Sequence, residues 1–348
     1  MFSNFQMLCY NIVEDMSKDH LKKLYLLTGA SGHLGSTLLK LLLDQNERVR
    51  VLVLPNEERF IPEGVEIIIG NVLDKDSLVP FFQREEEEEV ILIHCAGIVT
   101  ISSKSNPMVY KVNVDGTKNV LQMALDHHVD KAVYVSSVHA LLEEENGDTK
   151  ETKHFEPEKI EDQYGSSKAM ASKIALEYAQ KGLNICIVHP SGIYGPGDIR
   201  HTNHSVTSIR LMALGYIPVS LKGGFDFVDV RDAAKGILLA SEYGKPGETY
   251  ILSGHYSEVS DLLRIINRIC HRKTLNIEIP FGFLQAIAPI VEKGSNLLGI
   301  KRPLVTPYSI AILNGNGHFS HEKAAKELGY EPRSVEESLR DMVEEFKK

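Results

Sequence analysis

Apolar residues in the first half of the chain fall into short runs at 24–27, 49–54, 65–69, 90–95, 132–135 and 185–188. Runs of that length, apolar but for Arg50, Glu66 and His94, read as strands covered on both faces. Between them the apolar spacing lengthens to that of helices, at 33–43, 114–125 and 164–180. Strands alternating with amphipathic helices predict an α/β fold: a doubly wound parallel sheet of Rossmann type. After Pro190 the rhythm breaks into a turn-rich segment, 191–198, and two short strands, 226–230 and 249–252, are expected to return to the main sheet. Residues 255–348 are mainly helical in pattern. The predicted organisation is a dinucleotide-binding domain at 21–190 and 225–253, and a smaller substrate domain at 191–224 and 254–348.

The glutamate-rich segment 84–89 reads as a solvated helix end or loop. The apolar stretch 281–291 is interrupted by Gln285 and ends at Glu292-Lys293, so it predicts a helix over the pocket or core. It falls short of the roughly 20 residues that a membrane span needs. Residues 1–20 carry Glu14, Asp15, Lys18 and Asp19 where a signal peptide would be apolar. They read as a tail, with Met16 as an alternative start.

The 348 residues are 43% hydrophobic and 24% charged, the balance of a soluble globule. A net charge of −9 without a basic patch argues against a nucleic-acid partner. The four cysteines show no ligand spacing, which fits reduced thiols and a cytoplasmic protein. A homodimer is compatible with the chain.

Two motifs carry chemistry. Thr28-Gly-Ala-Ser-Gly-His-Leu-Gly35 follows a predicted strand and opens a predicted helix. Gly29 permits the tight turn, Gly32 lets the backbone approach a phosphate, and Gly35 lets helix pack on strand. Ser31, His33 and Leu34 lie within the same turn, and the helix N-terminus offers its N–H groups to a pyrophosphate. Downstream, Tyr164 and Lys168 are four apart on a helix and share a face. An ammonium about 4 Å from a phenol contributes roughly 4 kcal/mol at an effective dielectric of about 20. That is about three pK units, enough to make Tyr164 an acid–base group. Ser136 and Ser137 end the preceding strand, where a hydroxyl can bond the reacting oxygen.

The end of the second strand, Leu54-Pro-Asn-Glu-Glu58, bears on the nucleotide. Asn56 can bond a ribose hydroxyl, while Glu57 and Glu58 would repel a 2′-phosphate if they face the site. Arg50 is the counterargument. The balance favours NAD over NADP. Asn71 and Val72, after the third strand, are placed beside the adenine. His201 and His204 lack further ligands, so no metal is predicted.

These motifs resemble the extended short-chain dehydrogenase/reductase family, its NAD-dependent epimerase/dehydratase members, and in particular the dihydroflavonol-reductase-like branch. Supporting segments are Gly70-Asn-Val-Leu-Asp74, His94-Cys-Ala-Gly97, Asn113-Val-Asp-Gly-Thr117, Val135-Ser-Ser137 and His189-Pro-Ser-Gly-Ile-Tyr-Gly-Pro-Gly197, with 319–330 near the end. The resemblance implies a catalytic serine at Ser137, an acid/base at Tyr164 and an activating lysine at Lys168. It also implies cofactor contacts at Ala96, Gly97, Pro190 and Ser191, and a bracing role for Asn113. Two departures stand out: Asn71 replaces the usual aspartate, and Leu54 stands where NADP-using reductases of the branch carry arginine. Val99, Val138, His139, His201 and His204 are candidates for substrate contact, with a structural role open for His139. The implied activity is hydride transfer between nicotinamide and a carbonyl or secondary alcohol of a small-molecule substrate. A nucleotide-sugar epimerase or dehydratase with the same triad is the first alternative, and a non-catalytic dinucleotide sensor the second.

Overall fold

The computed structural model describes residues 22–102, 104–273, 275, 277–297 and 306–347. The expected tail at 1–20, with Met16 and Cys9, lies outside the described residues.

The strands are β1 Lys22–Thr28, β2 Arg48–Val53, β3 Glu66–Ile69, β4 Glu88–His94, β5 Lys131–Val135, β6 Ile185–Pro190, β7 Gly192–Tyr194, β8 Ser220–Leu221, β9 Gly224–Asp229, β10 Thr249–Leu252, β11 His255–Glu258 and β12 Glu278–Ile279. Seven of them form one parallel sheet in the order β10-β6-β5-β4-β1-β2-β3. Strand periodicity explains why their central positions are mostly apolar, with charged residues such as Lys22, Arg48, Glu88 and Lys131 at their amino ends. Leu24 and Leu26 of β1, with Val90 and Leu92 of β4, enter one core. Tyr25 and Leu27, with Ile91 and Ile93, enter the core on the opposite face. Each face is covered by helices, so neither set of alternate positions meets water. Helices Lys75–Phe82, Thr117–Asp126 and Gln163–Gln180 cover the first face, and His33–Asp44, Val230–Tyr243 and Glu322–Leu328 the second. The sheet order reverses between β1 and β4, and the carboxyl ends of those strands open the crevice in which such folds bind ligands.

Three expectations need correction. The strand expected at 226–230 does not join the main sheet; β9 pairs with β7 and β11 in a separate three-stranded sheet, and only β10 returns. Asp226 and Asp229 are buried there and need local partners, Gly254 N for Asp226 and Arg231 for Asp229, which the apolar centre of the main sheet does not supply. The segment 84–89 is not wholly solvated, because Glu88 opens β4, is buried and pairs with Arg48. Arg50 is not poised for a nucleotide. Its Nε donates to Glu66 Oε1 at 2.7 Å and its Nη1 to the carbonyls of Phe81, at 3.1 Å, and Gln83.

A further core lies around the smaller sheets. Tyr194, Val206, Ile209, Leu262, Leu263, Ile266, Leu339 and Met342 pack together there, from helices His204–Leu214, Val259–Ile269 and Val335–Phe346. The apolar stretch 281–291 forms helix Phe281–Leu297, with Leu284 and Ala288 packed against Ile310. Among the described residues, no helix is long and apolar enough to cross a membrane.

Candidate active site

The glycine turn is built by close backbone approach. Gly29 has φ +76°, and a Cβ there would lie 2.8 Å from the Ala96 nitrogen on β4's extension. A Cβ on Gly35 would come within 2.1 Å of the Gly29 carbonyl oxygen, so strand and helix could not meet with any larger residue. Gly32 donates to Gly29 O at 3.0 Å and is the N-cap of helix His33–Asp44, where no side chain caps the free N–H groups. Thr28 fixes the neighbouring strand end: its Oγ1 bonds His94 Nδ1 at 2.7 Å and accepts from Ala96 N at 3.1 Å. His94 is pushed down to about 3 by burial and by the Lys168 charge, so its imidazole is neutral.

Ser137, Tyr164 and Lys168 converge beside this turn. Ser137 follows β5 and its Oγ accepts from His139 N at 3.3 Å. Gly165 makes the approach of the next helix achievable. A Cβ there would sit 2.5 Å from His139 O, so only glycine lets Gln163–Gln180 press against the turn after Ser137. Asp162 caps that helix, accepting from Gly165 N at 2.7 Å. Ser136 plays a different part, its Oγ bonding Ser172 Oγ at 2.7 Å inside the core.

Burial pushes the Tyr164 hydroxyl up to about 12; a hydrogen bond from Ser137 opposes the rise and Asp162 adds to it. Burial pushes Lys168 down to about 8. The ammonium donates to Val135 O at 2.7 Å and to Tyr134 Oη at 3.4 Å, and lies 3.6 Å from where a Gly97 Cβ would be. The expected lowering of Tyr164 by Lys168 is therefore not realised in this geometry. Desolvation dominates both groups, and the lysine is bonded to the strand end rather than to the phenol.

Asn113 ties the segment after β4 to the Tyr164 helix. Its Oδ1 accepts from Ile98 N at 2.7 Å, and its Nδ2 donates to Ile98 O at 3.1 Å and to Ser167 Oγ at 2.9 Å. Pro190 and Ser191 are buried at the end of β6, with the Ser191 hydroxyl beside Asp226. Leu34 packs partly against the core. Asn56 is exposed in the left-handed region at φ +71°, and the next residue, Glu57, is the one that meets the glycine turn: Ser31 Oγ donates to its Oε2 at 2.8 Å. Asn71 is exposed and uses its Oδ1 locally, on Leu73 N at 3.0 Å, while Val72 is buried against Gly116. Val138, expected at the substrate, is instead fully buried in the core. Val99 is 64% exposed. His201 and His204 belong to the segment around Asn203, whose Nδ2 lies 3.1 Å from His33 Nδ1 in the glycine turn. Among the described residues, no group of side chains could hold a metal ion.

The NAD dependent epimerase/dehydratase family model matches residues 25–253, which span the glycine turn, Ser137, Tyr164 and Lys168. The chain belongs to this family. It is an extended short-chain dehydrogenase/reductase and an enzyme that uses NAD or NADP, as an oxidoreductase or an epimerase. Similar proteins include sterol demethylase protein B of Methylococcus capsulatus, 29% identical, covering 92% of this chain and 98% of that one. A Synechocystis protein with a provisional dihydroflavonol 4-reductase name is also 29% identical, covering 92% and 94%. Among solved structures, gox2253 is 32% identical with a TM-score of 0.79, covering 94% of this chain and 98% of that one.

Two groups of this family member escape a reading of motifs. Tyr308, on helix Pro307–Asn314, brings its hydroxyl toward Tyr164 and Asp162, and burial and these neighbours push its pKa up. His139 stands between them. Its ring stacks on Phe225 at 5.4 Å, meets Tyr164 at 5.9 Å and Tyr308 at 6.2 Å, and burial lowers its pKa. Arg200 is the other, reaching Ser31 and Glu57 from a loop after β7. Neither has a signal at the sequence level, because each is carried to the site by an irregular segment.

Proposed function

We propose that the enzyme transfers hydride between NAD(H) and a carbonyl or secondary alcohol of a small organic substrate, with Ser137, Tyr164 and Lys168 as its working groups. The observation that carries this reading is the meeting of these three side chains at the carboxyl ends of β4 and β5, beside Gly97 and the glycine turn. The nicotinamide, when bound, supplies or accepts the hydride. In reduction, the Tyr164 hydroxyl, kept protonated by burial, gives its proton to the substrate oxygen. Ser137 donates a hydrogen bond to the same oxygen. The Lys168 ammonium, one helical turn on and bonded to Val135 O before substrate enters, is assigned to the cofactor ribose and, on turning from that carbonyl, to the tyrosinate left behind. Oxidation runs the same transfers in reverse.

Glu57 supports NAD over NADP, since a carboxylate bonded to the glycine-turn serine accepts ribose hydroxyls and repels a 2′-phosphate. Ala96, Pro190 and Ser191 are assigned to the cofactor, and the segments 191–224 and 254–348 to the substrate domain. The aromatic rings of His139 and Tyr308, grouped with Tyr164, support a substrate with an apolar body. The name of the Methylococcus relative points the same way and makes sterol-type ketones and alcohols the first probes. A dimer and a cytoplasmic location belong to the same proposal.

The test is a screen of such ketones, alcohols and nucleotide sugars, following nicotinamide absorbance and product identity. Net NADH consumption on a ketone is expected. Interconversion of nucleotide sugars without net nicotinamide turnover would replace this reading with the epimerase one.

A further inference from the structure

The proposed reaction has no use for the contacts that tie the loop 195–203 to the glycine turn. Arg200 Nη1 donates to Ser31 Oγ at 2.9 Å and to Glu57 Oε1 at 2.8 Å, while Ser31 Oγ itself donates to Glu57 Oε2. The guanidinium carbon lies 4.9 Å from the centre of the Phe60 ring, which backs the cluster. Either side of Arg200, His33 Nε2 lies 3.0 Å from Pro196 O, and His33 Nδ1 lies 3.1 Å from Asn203 Nδ2. The loop is itself well formed: buried Asp198 accepts from Asn203 N at 2.8 Å and from Thr202 N at 3.1 Å. A small cleft remains between the turn and the loop, lined by Ser31, His33, Phe60, Asp198 and Arg200. An arginine from beyond the main sheet is thus delivered to the end of β2, where folds of this kind hold the adenosine ribose.

We infer that Arg200 is a cofactor-selecting residue: it latches the loop 195–203 over the adenosine end of the groove and sets which nucleotide Glu57 accepts. This rests on the reading that the glycine turn holds a dinucleotide. With the latch closed, Glu57 is neutralised and held by Arg200 on Oε1 and Ser31 on Oε2, each oxygen keeping a lone pair to which a ribose 2′-hydroxyl can donate. A 2′-phosphate meets a carboxylate there and enters only by drawing Arg200 away from it. The exchange is feasible because the Arg200 and Glu57 side chains remain 30% and 22% exposed, so the pair is solvated rather than locked. A guanidinium freed from Glu57 suits phosphate well, through two parallel hydrogen bonds.

The two partners therefore have opposite effects. In Glu57→Gln the repulsion is gone and Arg200 is released, so NADPH affinity should rise relative to NADH by about tenfold, the scale of one charge-assisted hydrogen bond. In Arg200→Gln the carboxylate is left unneutralised and the loop unlatched, so NADPH should bind more weakly still and NADH should dissociate several-fold faster. The measurement is fluorescence titration of the full chain with NADH and with NADPH, plus stopped-flow release of NADH. Wild-type affinities and release rates in both variants would overturn the latch while leaving the dinucleotide site intact. Failure of the wild-type chain to bind either nucleotide would instead overturn the cofactor reading on which the latch rests.

Discussion

Tyr164 is the residue on which the proposed chemistry turns, and its surroundings decide what each substitution should do. Tyr164→Phe removes the hydroxyl and keeps the ring in its contact with His139. Turnover should fall by about 10² to 10⁴-fold, the usual contribution of a positioned acid or base, with NADH affinity unchanged by calorimetry. Ser137→Ala should also slow turnover, whereas Ser136→Ala should cost stability and little rate, because Ser136 bonds Ser172 within the core. Lys168 makes a pH prediction. Its folded pKa is lowered to about 8, so it is an ammonium below that pH and neutral above it. The kcat/KM for NADH should therefore decline as pH rises through about 8, and that limb should be absent in Lys168→Met. In stability terms the sign is opposite: the unfolded chain binds the proton more tightly, so this lysine makes the fold gain stability as pH rises above about 8. That Ser137, Tyr164 and Lys168 would lie near one another was legible in the sequence. The ammonium's partner was not, because a flexible side chain chooses between the phenol and the Val135 carbonyl only once burial and neighbours are fixed.

At the scale of elements, the strands of the main sheet were legible because burial on both faces leaves a mostly apolar run. Their partners were less so. β9 and β10 are both short and partly apolar, yet only β10 pairs with β6, since pairing depends on connections that periodicity does not record. The bracing element was also only partly legible. The helix expected at 114–125 begins earlier, and Asn113 sits in a wide turn at Lys111–Gly116 that precedes the regular helix Thr117–Asp126. The glycine of Tyr-Gly-Ser-Ser-Lys had no assigned part in the motif, and the structure gives it one. Gly165→Ala would set a methyl 2.5 Å from His139 O, a backbone atom that cannot move cheaply. The helix must back away from Ser137, so both melting temperature and kcat should fall, with kcat falling more than the loss of folded enzyme explains. Gly282→Ala is the matching control. Its Cβ meets nothing within 4 Å and it lies in helix Phe281–Leu297, so the change should stabilise by about 0.5–1 kcal/mol or be neutral. Equal damage from both would mean that the close approach at Gly165 is not what positions the site.

Across the whole molecule, the catalytic sheet and the smaller core are joined by a pair of arginines whose role no motif announces. Arg231 spans Asp229 and Asp341, its Nη2 at 2.7 Å from Asp229 Oδ2 and its Nη1 at 2.6 Å from Asp341 Oδ2, which lies on helix Val335–Phe346. Arg333 grips Asp232 with three donors, N, Nε and Nη2, each at 2.9 Å. Asp232 lies on helix Val230–Tyr243, which covers the main sheet, and its side chain is 5% exposed. Removing one member of such a pair leaves a buried carboxylate without compensation, which is worse than never having had the pair. Arg333→Met keeps much of the aliphatic stem and deletes the charge. It should lower unfolding stability by about 2–4 kcal/mol, read as a lower urea midpoint at unchanged slope. The arginine is 23% exposed, so water can reach the vacated side and the lower end of that range is expected. NADH affinity should be retained, since neither residue touches the glycine turn or the Tyr164 helix. Adding Asp232→Asn to Arg333→Met should recover part of the loss by removing the orphaned charge. A double variant as unstable as the sum of its singles would show that the two side chains act independently, and that the joint between the cores rests on packing alone.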